Sequence, residues 1–356
     1  MPNDDTSNYK YVFVCGLHRS GTGMLARNIA RLEDCTGFQN TGVLQDEGQY
    51  LQDVYPPDRE YGGVGAFGFD PRAHVTETSD LLTRENIATL RASWHAYWDN
   101  SKTIFVEKTP ANLLMTRFLQ AGFPNSHFVV IKRHPIPVGM ATQKWKVNVK
   151  SLHTMFEHWL HCHGLYEQDK EYLKHLYELK YEDYVENPDK YHAELATFIG
   201  TRVPERPKKD RSRTVLQWPN PYGLCVPERT MEKASADYNQ KYFDRWYHLL
   251  RNSPLKGYYR YLAWKYEPKF ATYGYSLTKG FELSEAVLHH RGKLSDAIGA
   301  FYCHAADAYT LMVRSRIQGK AYIKRQLSAR LPEPLKLKIK HIRRRLSLSK
   351  NQPDVV

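Results

Sequence analysis

A chain of 356 residues with 42% hydrophobic and 13% aromatic side chains can bury one large core or two ordinary ones, which excludes an unfolded chain. No run of about 18 apolar residues occurs, and the start MPNDDTSNYK lacks the apolar stretch of a secretory leader, so neither a membrane span nor export is expected. The net charge of +13 is concentrated: residues 314–350 hold thirteen Lys/Arg against the single acid Glu333, which leaves the remainder at +1 and argues for a basic tail rather than a nucleic-acid-binding body.

In chain order, residues 11–15 (YVFVC) read as a short buried strand closed by Gly16. Residues 22–32 read as a helix, with Met24, Leu25, Ile29 and Leu32 at helical spacing. Residues 35–80, rich in Gly, Pro, Asp and Gln, read as an elaborated loop. Within it the glycine-rich run 62–68 follows no strand, and a flexible loop is expected rather than a dinucleotide fingerprint. Residues 81–98 are expected to be helical, 103–106 a second strand, and a helix to run through Leu119. Residues 128–131 (FVVI) form a third strand ending at Lys132-Arg133, after which helical stretches are expected as far as Tyr177. A further helix follows Tyr181-Glu182-Asp183, then a polar, basic linker over 201–213 and a packed helical remainder around Tyr242, Phe243 and Trp246. Short apolar strands alternating with helices predict an α/β fold, three-layered around a mainly parallel sheet.

The strand–loop–helix at 11–32 carries the strongest chemical signal. A tight loop before a helix aims backbone N–H groups and the positive dipole end at one point, which suits a phosphate. Gly16 and Gly21 allow close approach, Ser20 and Thr22 add hydroxyls, and Arg19 adds a fixed charge. The nucleotide-triphosphatase pattern GxxxxGK[ST] fails here, because Thr22 stands at the lysine position and Gly23 at the magnesium-binding hydroxyl position. The loop therefore reads as a phosphate cradle without metal-assisted triphosphate chemistry. An ordinary capped strand–helix turn is the plainer alternative.

These residues carry a resemblance. His18-Arg19-Ser20-Gly21-Thr22-Gly23 resembles the 5′-phosphosulfate loop of sulfotransferases that use 3′-phosphoadenosine 5′-phosphosulfate (PAPS). EGQYLQDVYP (47–56), EKTP (107–110), FVVIKRHP (128–135) and YED (181–183) extend it across residues 11–200, in the order found in bacterial relatives. The resemblance implies that residues 18–23 hold the 5′-phosphosulfate, Arg133 the 3′-phosphate, and Tyr181 the adenine. The crevice beyond strand C-termini is where open α/β sheets bind ligands, so these placements cohere. Ala141 stands where the family has a 3′-phosphate serine, with Thr142 one residue later as the substitute. The late Arg-Lys-Gly segment of the cytosolic members has no clean counterpart, since Arg291-Gly292-Lys293 runs in the wrong order.

Sulfuryl transfer needs a base for the acceptor's proton and a cation for the departing phosphate. Cytosolic members carry Lys-Thr-His, whereas this chain has Lys108-Thr109-Pro110; it is more similar to the branch acting on glycans and tyrosyl peptides, which uses a glutamate. The resemblance thus implies Glu47 as base, with Asp46 as the neighbouring alternative, and Lys108 as leaving-group cation. No metal is expected: His158, His161 and His163 lack nearby acidic partners, and the five cysteines are odd in number, dispersed and never CxxC, which fits a reducing cytoplasm. In the tail, Leu335, Ile339, Ile342 and Leu346 fall within about 60° on a helical wheel among basic residues, a pattern suited to an anionic membrane surface.

The expected organisation is a sulfotransferase domain over residues 8–280 and a helical basic extension over 281–356. The expected reaction moves a sulfuryl group from PAPS to a hydroxyl on a glycan, lipid-linked sugar, small alcohol or peptide tyrosine. The expected location is cytoplasmic, with the tail able to sit on the inner membrane surface; no nucleic-acid partner is expected. The alternatives are a P-loop-type kinase and a catalytically silent membrane-binding protein of the same fold.

Overall fold

The computed structural model describes residues 8–144, 150–204, 237–279 and 293–330. Its strands are β1 (Lys10–Cys15), β2 (Cys35–Gly37), β3 (Ile104–Lys108), β4 (Ser126–Lys132) and β5 (Leu176–Lys180). The helices are α1 (Thr22–Ile29), α2 (Arg84–His95), α3 (Thr116–Gly122), α4 (Pro135–Gln143), α5 (Leu152–Asp169), α6 (Tyr181–Glu186), α7 (Pro188–Ile199), α8 (Asp237–Asn252), α9 (Lys256–Ala271) and α10 (Lys293–Arg330).

In β1, Tyr11, Phe13 and Cys15 enter one apolar cluster and Val12 and Val14 another, the period-two alternation of a strand buried on both faces. All pairings are parallel and the sheet order is β2-β3-β1-β4-β5, so β1 is central, with Val14 beside Lys108 on one flank and Val129 on the other. The aliphatic cluster is closed by α1, α6 and α7 through Leu25, Ile29, Tyr184, Leu195 and Ile199. The opposite cluster is aromatic: Phe13 stacks on Phe128 at 5.5 Å, Trp94 on Phe123 at 5.6 Å and Phe38 on Trp98 at 4.8 Å. Each such pair adds about 0.5–1.5 kcal/mol beyond its buried area. Helices on both faces of a parallel sheet make the expected three-layer α/β fold.

The edges differ from the expectation. Two strands escape a sequence reading. β2 is three residues long, and β5, expected to be the end of a helix, is a half-exposed edge strand that runs into α6 at Tyr181 with no Gly or Pro between. The helix of residues 81–98 is confined to Arg84–His95, capped at Thr83, whose side chain accepts from Asn86 N–H. The glycine run 62–68 is packed rather than flexible. Phe67 is fully buried, Gly68 donates its N–H to His158 Nε2 at 3.1 Å, and a Cβ on Gly68 would lie 2.3 Å from Cys162 Sγ.

The first part of α10 packs on the body. Cys303 is buried in the aromatic cluster, Asp307 accepts from Thr154 Oγ1 at 2.7 Å and from Ser151, and Gly299 abuts Tyr261. Ile298, Phe301, Tyr302, Tyr309 and Met312 on the same helix are exposed. The tail stripe from Leu335 to Leu346, most of the linker at 201–213, and Arg291 and Gly292 lie outside the described residues. Cys15, Cys35, Cys162 and Cys303 are buried free thiols. No helix among the described residues is long and apolar enough to cross a membrane.

Candidate active site

The loop between β1 and α1 turns on two glycines. A side chain at Gly16 would lie 2.4 Å from the Ile131 carbonyl, and one at Gly21 would lie 2.6 Å from the Tyr181 ring; both have positive φ, +149° and +99°. Arg19 is also left-handed at φ 71°, which makes the loop a tight concavity. Gly21 occupies the N-cap of α1 and supplies no side-chain hydrogen bond, so a ligand can satisfy the N–H groups of the first turn. Ser20 is fully buried and its hydroxyl has no hydrogen-bond partner. A buried hydroxyl without a partner, beside an uncapped helix start, is what an anion-binding loop leaves for its ligand. These residues therefore fit the 5′-phosphosulfate of PAPS.

The end of β4 closes one flank. Arg133, only 3% exposed, donates from Nη1 to the Arg19 carbonyl at 2.7 Å, from Nε to Asn239 Oδ1 at 3.1 Å, and lies 4.0 Å from the Tyr181 ring centroid. Arg133 and Tyr181 thus meet. Glu182 Oε1 accepts from His134 N–H at 3.1 Å and from Asn239 Nδ2 at 3.3 Å, so it holds the turn that presents Arg133; burial raises its pKa. His134 caps α4 by accepting from Ile136 N–H, and burial drives its pKa down to about 4. Thr142 is buried near the end of α4 and donates to the Val138 carbonyl at 2.8 Å, within its own helix.

The end of β3 closes the other flank. Lys108 Nζ lies 3.1 Å from Glu47 Oε1 and 3.0 Å from the Gln45 carbonyl. Glu47 and Lys108 are both buried. Glu47 Oε2 accepts from Gln49 Nε2 at 2.7 Å, so both carboxylate oxygens are oriented. Asp46 differs: Oδ1 accepts from Thr41 N–H and Oγ1 at 2.8 and 2.6 Å, which commits it to its own turn. Gln45 and Asp46 are left-handed at φ 58° and 50°, and the turn between them projects Glu47 towards Lys108.

Glu107 fixes this turn from beneath. It accepts from Gly48 N–H at 3.1 Å, Thr109 Oγ1 at 2.6 Å and Asn112 Nδ2 at 2.6 Å, while burial pushes its pKa up to about 7. His18 lies 3.4 Å from Asp58 Oδ2, and Asp58 N–H donates to Gln49 Oε1 at 2.9 Å, which links the phosphate loop to the Glu47 turn. Sequence reasoning missed Gln49 and Glu107, although both lie in the motifs EGQYLQD and EKTP. Asn239 carries no local signal; only the packing of α8 on α4 brings it to Arg133. His158 and His163 are buried and neutral in character, held by Gly68 N–H and the Trp159 carbonyl. No metal-ligating cluster is found among the described residues.

A model of the sulfotransferase family matches residues 12–205. No curated protein matches the sequence. Solved structures similar to this chain include the sulfotransferase STF1 of Mycobacterium tuberculosis H37Rv, at 15% identity and TM-score 0.36 over 55% of this chain and 69% of that one. The sulfotransferase domain of the Synechococcus PCC 7002 olefin synthase is 16% identical, at TM-score 0.40 over 66% and 88%. A sulfotransferase from Alicyclobacillus acidocaldarius is 12% identical, at TM-score 0.37 over 66% and 90%.

Proposed function

The chain belongs to the sulfotransferase family, an enzyme family with PAPS as its co-substrate, and on that premise we propose how its residues divide the reaction. Membership sets aside the kinase reading. PAPS supplies the sulfuryl group, already bound to a phosphate that can leave. Residues 18–23 hold the 5′-phosphosulfate, Arg133 the 3′-phosphate, and Tyr181 the adenine. Thr142 donates its proton to the Val138 carbonyl within α4, and its hydroxyl must turn from that carbonyl to donate to a phosphate, so its part in the 3′-phosphate site is subordinate to Arg133.

The observation that carries the catalytic assignment is the buried Glu47–Lys108 pair beside the loop. Glu47 takes the proton of the acceptor hydroxyl, and Lys108 balances charge on the departing phosphate oxygen. Asp46 yields the base role to Glu47 because its carboxylate holds Thr41. The acceptor is a hydroxyl, on a glycan, lipid-linked sugar, small alcohol or peptide tyrosine. A transfer screen with radiolabelled PAPS over these four classes tests the reading. Label should move to at least one class, and no transfer together with no affinity for the product 3′-phosphoadenosine 5′-phosphate (PAP) would overturn it.

We place the transferase domain at 8–280 and a basic extension after it, acting in the cytoplasm and docking on an anionic membrane through 314–350. The exposed apolar side chains of α10 from Ile298 to Met312 support that docking, since they lead directly into the basic segment.

A further inference from the structure

Period two along β3 sets Glu107 on the face of Phe105, towards the aromatic cluster, and Lys108 on the face of Val106. A carboxylate on an apolar core face destabilises the fold unless donors compensate it, and burial pushes the pKa of Glu107 up to about 7. Its partners show what it does there. Oε1 accepts from Gly48 N–H at 3.1 Å and from Thr109 Oγ1 at 2.6 Å, and Oε2 accepts from Asn112 Nδ2 at 2.6 Å. Thr109 Oγ1 in turn accepts from Gln49 N–H at 3.2 Å. One carboxylate therefore holds two consecutive amides, Gly48 directly and Gln49 through a hydroxyl.

These two amides immediately follow Glu47. From the same stretch Gln49 Nε2 donates to Glu47 Oε2 at 2.7 Å, while Lys108 Nζ lies 3.1 Å from Oε1. Trp94 Nε1 donates to the Gly48 carbonyl at 3.0 Å, so Gly48 is fixed at both its N–H and its C=O. A Cβ on Gly48 would stand 2.4 Å from Glu107 Oε1, and only glycine lets the carboxylate reach the main chain there. The sequence neighbours of the proposed base are thus clamped from the end of β3. Such a clamp bears on rate, since a misplacement of about 1 Å can cost about 10²-fold.

We propose that Glu107 is the positioning residue of the base, holding Glu47 against Lys108 through Gly48 and, by way of Thr109, through Gln49. The inference rests on the reading of Glu47 as base. Glu107 exchanges no proton with the acceptor, because its two oxygens are taken by Gly48, Thr109 and Asn112. It acts on the rate only through Glu47.

The test uses the full chain with radiolabelled PAPS and the acceptor that takes most label in the four-class screen. Glu107→Gln, alike in shape, should lower kcat by about tenfold to a hundredfold. PAP affinity by calorimetry and KM for PAPS should stay at the wild-type level. Thr109→Val breaks only the Gln49 branch and should lower kcat by about two- to tenfold, the loss of one neutral hydrogen bond. Thr109→Ser keeps the hydroxyl and should restore the rate. In a Glu47→Gln background Glu107→Gln and Thr109→Val should change kcat little, because residues that act as a unit are not additive.

Glu107→Gln at wild-type kcat, a loss confined to KM for PAPS, or the same loss in the Glu47→Gln background overturns the proposal. Equal kcat in Thr109→Val and Thr109→Ser overturns it as well, and that pair decides the matter if Glu107→Gln does not fold. The two levels separate: near-normal turnover of Glu47→Gln removes the base itself. A crippled Glu47→Gln beside normal Glu107→Gln and Thr109→Val removes only the positioning role. A wild type that labels no acceptor class removes both.

Discussion

Arg133 reaches from the end of β4 to donate from Nη1 to the main-chain carbonyl of Arg19 at 2.7 Å, tying the proposed 3′-phosphate residue to the backbone of the phosphate loop. The same guanidinium lies over Tyr181, whose ring blocks any side chain at Gly21. The two proposed phosphate subsites are therefore joined through Arg133 and Tyr181.

Arg133→Ala should weaken PAP binding by about tenfold to a hundredfold, the loss of a charge-assisted contact of about 1.5–3 kcal/mol. Arg133→Lys should recover little, because a lysine cannot serve the Arg19 carbonyl and Asn239 together. Calorimetry with PAP checks both variants. An Arg133→Ala protein that binds PAP like the wild type would remove the 3′-phosphate assignment.

Glu47→Gln keeps the shape of the side chain and its bond to Gln49 while removing the basic oxygen. Transfer should fall by about 10²–10⁴-fold with PAP affinity nearly unchanged. Lys108→Met should slow transfer as well and also destabilise the fold, since it leaves the buried Glu47 carboxylate without its cation. Single-turnover transfer and thermal melts separate the two effects. Near-normal turnover of Glu47→Gln would hand the base role to another group.

The parts of the site readable in the sequence are those carried by continuous motifs. β1 and its loop announce themselves because a buried central strand is apolar throughout and a phosphate loop needs glycine where φ is positive. Arg133 is legible as the charge that ends FVVI. What escapes is tertiary. Asn239 reaches Arg133 from 106 positions away, and no local pattern marks it. The Gln49–Asp58–His18 link depends on a loop whose short 3-10 turns have no periodicity to read. β5 was hidden for another reason: an edge strand with one fully buried residue lacks the alternation that marks a strand.

Gly21→Ala should be disproportionately harmful. Its Cβ would stand 2.6 Å from the Tyr181 ring at a φ of +99°, so both space and backbone oppose it. The melting temperature should drop and PAP affinity should fall with it. Combining Gly21→Ala with Tyr181→Ala should recover part of the stability, because only the backbone strain then remains. A single variant as stable as the wild type would show that the loop is looser than this packing implies.

Membrane docking predicts that the full chain sediments with acidic liposomes at low salt. Binding should fade as salt rises, as screening shortens the reach of the charges to about 8 Å at physiological strength. Deleting 332–356 should release the protein while PAP binding persists, since every proposed nucleotide contact lies at or before Tyr181. A full-length chain that ignores acidic vesicles at low salt would assign the basic segment another purpose.

Stability should be bounded by pH on both sides, for opposite reasons. Burial lowers the pKa of His127 and His134 to about 4 and of His158 and His163 to about 3, against an ordinary value of 6.5. The unfolded chain then binds more protons than the folded one, so the stability these groups contribute is present above about pH 6.5 and is lost as the pH falls. Glu107 acts in the other direction: with its pKa raised to about 7 from 4.5, its contribution is present at low pH and is lost as the pH rises through about 7. Melting temperature against pH should therefore fall steeply on the acid side and more gently towards neutrality. His158→Gln, which can still accept the Gly68 N–H, should flatten the acid limb. Glu107→Gln should remove the decline between about pH 5 and 7 and leave the acid limb as it was. An unchanged profile in Glu107→Gln would mean that this carboxyl titrates near its ordinary value and does not couple the Glu47 turn to pH.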